Sequence, residues 1–349
     1  YPNVCGSGLF MEAIEQNPVY YDLAFEMPNH TDSIHLQGWL AAYAERRYGA
    51  KSAAAEKAWM YLLEGPYRRG TNGTERSSIV AARPALDVKK SGPNAELGIP
   101  YAPMLVIQAQ AQLLKDADKL AASKPYRFDI VDVQRQMMTN LGQLVHKKAA
   151  EAFVAKDRAA FTLHSRRFLE LLSDMDELLY TRSEYSFDKW LTEARSWGET
   201  KEEKDLMERD ATSLVTIWGA DGDPRIFDYS WREWAGLING YYLPRWQKFY
   251  TMLQGHLDAG TDYQEEGLPL AYGREDFRAN DFYNQLADWE LAYVVQTDKA
   301  RTPVTRGDEL VITRRLFDKY LKLSREYYTD FSGVEEIKEE RTYENVGEE

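Results

Sequence analysis

From about Asn17 the apolar residues recur with a period close to 3.6, and, one interruption apart, they keep it as far as a polar tail. A chain patterned this way has one economical solution, amphipathic helices that bury facing stripes in layers. NPVYYDLAFEM offers Asn17 as N-cap and Pro18 at the first helical position, with Pro28 as the stop. SIHLQGWLAAYAERRYG sets Leu36, Leu40 and Tyr43 on one side and closes on Gly49, and SAAAEKAWMYLLEGPY ends at Gly65-Pro66. The two strongest stripes come later: Ile130, Val133, Met137, Leu141 and Leu144, then Phe161, Phe168, Leu171, Met175 and Leu178. SFDKWLTEARSWG, KEEKDLMERDATSLVTIWG, WREWAGLINGYYLPRWQKFYTMLQGHL, FYNQLADWELAYVVQT and LVITRRLFDKYLKLSREYY continue the series. Helix lengths and loops vary without a fixed spacing, so a large all-helical domain is expected rather than a solenoid. The interruption, from Gly65 to about Pro103, is long for a structureless connection and is expected to pack over something or to line a site.

The first sixteen residues break the pattern. NVCGSGLFM reads as a strand, and one strand alone cannot satisfy its own ladder hydrogen bonds. The expectation is a sheet supplied from elsewhere, most simply by an upstream stretch of a longer polypeptide. The start supports it, because the chain lacks an initiating methionine and enters directly on an apolar segment.

Composition removes several function classes. Acidic residues outnumber basic ones 56 to 43, for a net charge of −13, and no basic stripe offers to neutralise phosphates, so a nucleic-acid partner is not expected. RRGTNGTER reads as a solvated turn or, failing that, an anion site. No stretch reaches the roughly 18 apolar residues of a membrane span. The single cysteine, Cys5, excludes an internal disulfide framework and a cysteine-based zinc site, and it fits both a cytosolic protein and an exported one built without disulfides. NHT at Asn29 and NGT at Asn72 match the N-glycosylation pattern, which matters only in a eukaryotic secretory protein. Neither a metal nor another cofactor is expected: His30, His35, His146, His164 and His256 form no ligand spacing and read as solvent-facing or core-edge groups. Asp288 and Glu290 do not share a helical face, and no serine stands in a nucleophile elbow.

Two stretches carry candidate chemistry. Glu12 follows the strand-like run, where barrel enzymes present catalytic carboxylates; the alternative is a glutamate in a connecting turn, and Glu15 is a poorer candidate beside the helix cap. In TIWGADGDPRIFDYSW, Trp218 is expected to end a helix and Tyr229 to stand beyond an acidic turn. An aromatic loop of this kind either stacks on a sugar ring or anchors itself to the helical core. The GSG at Gly6 lacks the third glycine of a dinucleotide fingerprint, and the DGD lacks the alternating ligands of a calcium loop.

GSGLFMEAIEQNPVYYDL, and after it WLAAYAERRYG, ARPALD, YRFDIVDVQRQ, TIWGADGDPRIFDY and NGYYLPRW, resemble in order the alpha-N-acetylglucosaminidases, a glycoside hydrolase family. The resemblance covers nearly the whole chain. It implies the end of a (β/α)8-type catalytic barrel over residues 1–33, an all-helical domain lining the cleft over 34–335, and a polar tail over 336–349. It implies a retaining exo-acting hydrolase that releases terminal alpha-linked N-acetylglucosamine, secreted or periplasmic in a bacterium and lysosomal in a eukaryote. By the same resemblance Glu12 is the nucleophile, Trp218, Ile226 and Tyr229 line the sugar pocket, and the upstream barrel holds the acid/base. The chain departs from the family pattern at Met11 and Ala13, beside Glu12, and in a longer loop after Trp218. A non-catalytic carbohydrate-binding module is the alternative, and a purely structural scaffold would require Trp218 and Tyr229 to be fully buried.

Overall fold

The computed structural model describes residues 3, 5–6, 8–11, 17–67, 77–92, 95–218, 227–265 and 280–329. Three helices open the described chain, α1 (Pro18–Glu26), α2 (Leu36–Tyr48) and α3 (Ala53–Glu64). Asn17 holds the N-cap position of α1, but its side chain does not cap; Asn17 Oδ1 instead accepts from Tyr67 Oη at 2.9 Å. His35 caps α2, its Nδ1 accepting from Gly38 N at 3.2 Å, and Gly49 closes that helix in the left-handed conformation at φ 74°.

After α3 the backbone turns irregular, and among the described residues its only regular structure is a hairpin of β1 (Lys90–Ser91) and β2 (Ala95–Glu96), with Lys90 opposite Glu96. Helices then follow to the end of the described chain: α4 (Met104–Lys115), α5 (Ala117–Leu120), α6 (Lys124–Val154), α7 (Arg158–Leu179), α8 (Phe187–Arg195), α9 (Lys201–Leu214), α10 (Leu243–Ala259), α11 (Asp281–Val295) and α12 (Glu309–Tyr327). α6 and α7 form the central hairpin. Asp157 starts α7 by accepting from Ala160 N at 3.0 Å, and the seam buries Met137, Met138, Leu141 and Val145 against Phe168, Leu171, Leu172 and Met175. Each such side chain contributes about 1.5–3 kcal/mol on leaving water, which is why the stripes alone determine this part. α4 and α12 cover α6, and α10 covers α7.

The aperiodic stretch after α3 does not skirt this core. Ile79, Val80, Ala81, Ala82 and Ala85 are buried almost completely. Gly142 of α6 admits them: a Cβ there would stand 3.2 Å from Ile79 Cγ2 and 3.6 Å from the Phe168 ring. Buried irregular backbone needs partners for its polar groups, and side chains from elsewhere supply them. Val80 O accepts from Trp246 Nε1 at 3.3 Å, Ala81 O from Arg245 Nη2 at 2.7 Å, and Pro84 O from Tyr283 Oη at 3.0 Å, while Leu86 N donates to Glu265 at 2.7 Å.

The described residues between 3 and 11 pair with no described strand. Two expectations need correction. The helix expected to reach Trp218 stops at Leu214, where the β-branched run Val215–Ile217 unwinds into turns. The segment read as one helix from Trp231 is irregular to Gly236, which sits at φ 85°, and then passes through a π-helical turn (Ile238–Tyr242) into α10.

Candidate active-site face

The turn after α9 brings the backbone to Trp218, whose N–H donates to Ser213 O at 2.6 Å and whose φ is 52°. Asp228, on the return side, is also left-handed at φ 57°, and its N–H donates to Thr216 O at 2.7 Å. That bond closes a neck between the outgoing and returning strands of the loop. Ile217 and Phe227 seal it against Ala287 and Val294 of α11. Just beyond the neck the Trp218 and Tyr229 rings meet with centroids 4.9 Å apart and planes at 59°. Both residues are half-buried, which is not the full burial a purely structural scaffold requires.

The returning strand is held from below by charge. Arg245, wholly enclosed, reaches both Asp228 oxygens through Nη1 at 3.0 and 3.1 Å, and Glu290 Oε1 at 3.3 Å. Arg83 Nη2 stands 3.1 Å from the other Glu290 oxygen, so two cations face two carboxylates. The Tyr241 ring lies 4.7 Å from the Arg245 guanidinium carbon and Tyr242 5.4 Å, adding cation–π attraction in a dry site. Burial pushes the Asp228 carboxyl upward and Arg245 opposes it; burial likewise works against the Arg245 charge, yet Asp228, Tyr241 and Glu290 keep its pKa raised. The pair is an ion pair in a pocket that tolerates no unmatched charge.

From above, the hairpin presses on the same strand. Gly92 sits at φ 71°, and a Cβ there would meet Asp228 O at 2.7 Å and Tyr229 Cα at 3.3 Å. Farther along, Glu233 accepts from Thr139 Oγ1 at 2.7 Å and from Ser78 Oγ and Arg135, and Arg135 also pairs with Asp132 at 2.8 Å. The strip from Asp228 to Glu233 is therefore fixed to α6 at one end and to α10 and α11 at the other.

Of the residues expected at the site, Trp218 and Tyr229 come together here, while Glu12 and Ile226 lie outside the described residues, as does Glu15. The expectation for His146 is overturned. It is buried between the Phe168 and Trp246 rings with Nδ1 2.8 Å from Tyr250 Oη, and burial pushes its pKa down to about 4. His164 is half-buried and 2.5 Å from Tyr327 Oη, whereas His30, His35 and His256 are at least partly exposed. No group of histidine, cysteine and carboxylate side chains among the described residues could hold a metal ion. Asp228, Arg245, Glu290 and Arg83 escaped the sequence reading as a group. Arg245 had a signal, since it is a charge set in the aromatic run Tyr241, Tyr242, Trp246 and Phe249, all deeply buried.

Comparison with known proteins places this architecture. Residues 39–319 match the family model of the alpha-N-acetylglucosaminidase (NAGLU) C-terminal domain. The chain is 32% identical over 329 residues to human alpha-N-acetylglucosaminidase, an alignment covering 92% of this chain and 41% of that protein. It is also similar to a family 89 glycoside hydrolase from Clostridium perfringens solved with 2-acetamido-1,2-dideoxynojirmycin, at a TM-score of 0.76 and 28% identity over 87% of this chain and 34% of the other. A doubly substituted form of the Clostridium perfringens enzyme, two glutamates changed to glutamine, was solved with its substrate GlcNAc-alpha-1,4-galactose; it matches at a TM-score of 0.79 and 27% identity, over 90% and 35% of the two chains. The chain thus spans well under half the length of each of these relatives.

Proposed function

The chain belongs to the alpha-N-acetylglucosaminidase family, and from that premise we propose that it serves a retaining exo-acting glycoside hydrolase releasing terminal alpha-linked N-acetylglucosamine. Residues 34–335 are the helical domain that closes one side of the cleft, residues 336–349 a polar tail, and residues 1–33 the end of a (β/α)8-type barrel. The upstream part of the barrel, in the same polypeptide, completes the site. The observation that carries the reading is the half-buried Trp218–Tyr229 pair, held on a clamped loop in a chain similar to an enzyme solved with an N-acetylglucosamine-terminated substrate. The apolar face of a pyranose suits such a pair, and Ile226 completes the lining.

The barrel assignment draws support from the opening residues. Leu9, Phe10, Met11, Tyr20, Phe25 and Met27 are large apolar side chains left exposed, a set that a packed barrel would cover. The helical domain holds α1, which carries Tyr20 and Phe25, since Trp39 Nε1 donates to Glu26 at 2.6 Å and Tyr67 Oη to Asn17 at 2.9 Å. Glu12 lies five residues before Asn17 in the sequence.

In the mechanism, Glu12 is ionised and attacks the anomeric carbon while a second carboxylic acid, about 5 to 5.5 Å away, protonates the leaving oxygen. The covalent glycosyl-enzyme is then hydrolysed by water that the second group activates as base. The two roles require hydrogen bonds that favour the charged form at the nucleophile and a drier place that raises the acid. Trp218 and Tyr229 spend sugar-binding energy on orientation. The protein works in a secreted, periplasmic or lysosomal setting; no described helix is long and apolar enough to cross a membrane. The test is Glu12→Gln in the polypeptide carrying the whole barrel. Turnover of an aryl alpha-N-acetylglucosaminide should nearly vanish with the thermal transition unchanged, and near wild-type turnover overturns the assignment.

A further inference from the structure

We propose that Asp228 and Arg245 are positioning residues for sugar recognition, setting the height and tilt of Tyr229, and of Trp218 against it, from beneath the loop. The inference rests on the reading that Tyr229 contacts the sugar. Among the described residues four non-glycine positions have positive φ, namely Lys156, Trp218, Asp228 and Asp298, and two of them bracket this loop. A left-handed tryptophan is an outlier, and such conformations persist only where the surroundings over-determine them.

The surroundings do so at Asp228. Its N–H is taken by Thr216 O, its carboxylate is gripped on both oxygens by Arg245, and its carbonyl side is closed by Gly92. No freedom remains for the peptide that leads into Tyr229. Arg245 in turn cannot shift, because Nη2 donates to Ala81 O in the buried segment and Glu290 and the two tyrosine rings enclose the rest. Position is thus transmitted from the helical core to the Tyr229 backbone through two side chains, neither of which needs to touch substrate. An ion pair kept for stability alone requires no such alignment with a strained backbone. Asp174, which accepts from Lys319 Nζ at 2.6 Å and Tyr320 Oη at 2.8 Å between α7 and α12, is an example of the simpler kind.

The experiment is a double-mutant cycle in the whole-barrel enzyme, reading kcat and KM on an aryl alpha-N-acetylglucosaminide beside the thermal transition. Asp228→Asn should lower kcat/KM about 10- to 100-fold, as expected for a displaced binding group. In a Tyr229→Ala background the same substitution should add less than about twofold, because its target is already gone. Asp174→Asn should lower the transition temperature and leave kcat/KM within about twofold. Gly92→Ala is the second route to the same strand and removes no charge; it should raise KM and lose that effect in the Tyr229→Ala background. If the Asp228 and Tyr229 effects multiply, or if Asp174→Asn depresses kcat/KM equally, the positioning role is overturned while sugar contact by Tyr229 stands. If Tyr229→Ala leaves kcat/KM unchanged, sugar contact by Tyr229 fails, and the positioning role falls with it. Should Asp228→Asn not fold, the Gly92→Ala cycle decides the matter by the same criteria.

Discussion

The α6–α7 seam and the neighbouring polar heart, where residues 78–86 thread beneath α10 and α11, are both largely buried and are built on opposite principles. In the seam every backbone group is satisfied within its own helix, so side chains need only be apolar and of the right volume. In the polar heart the backbone is irregular, and four of its polar groups depend on particular distant side chains: Trp246, Arg245, Tyr283 and Glu265. The seam is tolerant and the heart is specific. It is the specific region that carries the aromatic loop.

The sharpest way to break this contrast is to remove the charge at its centre. Arg245→Met should cost about 3–5 kcal/mol, because Asp228, Glu290 and the Ala81 carbonyl are left buried without their partner. Urea unfolding at neutral pH measures it, and a loss below 1 kcal/mol, as a rough bound for tolerated swaps, would place the heart with the seam.

A second test uses His146, wedged between the two regions. Its folded pKa, about 4, lies below the unfolded value near 6.5, so folding favours the neutral ring. Its contribution is complete above pH 6.5, falls as the unfolded chain takes up the proton, and is lost by about pH 4. The loss is on the order of 3 kcal/mol. Buried carboxyls with raised values, such as Asp176 at about 6, act in the opposite direction, since they disfavour folding as pH rises. The measurement is therefore a difference: the unfolding free energy of wild type minus that of His146→Gln, followed from pH 7 to 4. A flat difference removes His146 from the account.

The smallest effect belongs to the seam. Met138→Leu, at a site with no exposed surface, should cost less than about 1.5 kcal/mol by thermal melting, since it conserves volume and touches no polar partner. A cost equal to that of Arg245→Met would erase the distinction from the other side.

How far the sequence could be read follows the same division. The stripes of α6 and α7, the Gly49 cap and the stop at Gly65-Pro66 were legible because periodicity and caps are local properties. The aperiodic stretch after α3 was expected to pack over something or line a site, but which of its residues enter the core was not legible, because that is decided by side chains as far away as Arg245, more than a hundred positions along the chain. Trp218 and Tyr229 could be singled out as loop aromatics, yet their meeting depends on Asp228, Arg245 and Glu290, which three separate segments contribute. Glu290 in particular was set aside as a carboxylate without a facing partner, and its partners proved to be arginines from α10 and the threaded segment. The helix end at Leu214 was missed because Val215 and Ile217 continue an apolar pattern that the backbone no longer follows.

The bond from Asp228 N to Thr216 O has a consequence for how such a protein diversifies. A segment whose base is sealed can change its length above the seal at little cost, since closing a loop twice as long adds only about 0.6 kcal/mol of chain entropy. The seal thus separates the scaffold beneath it, where Arg245 and Glu290 hold Asp228, from changes of sequence length between Trp218 and Phe227.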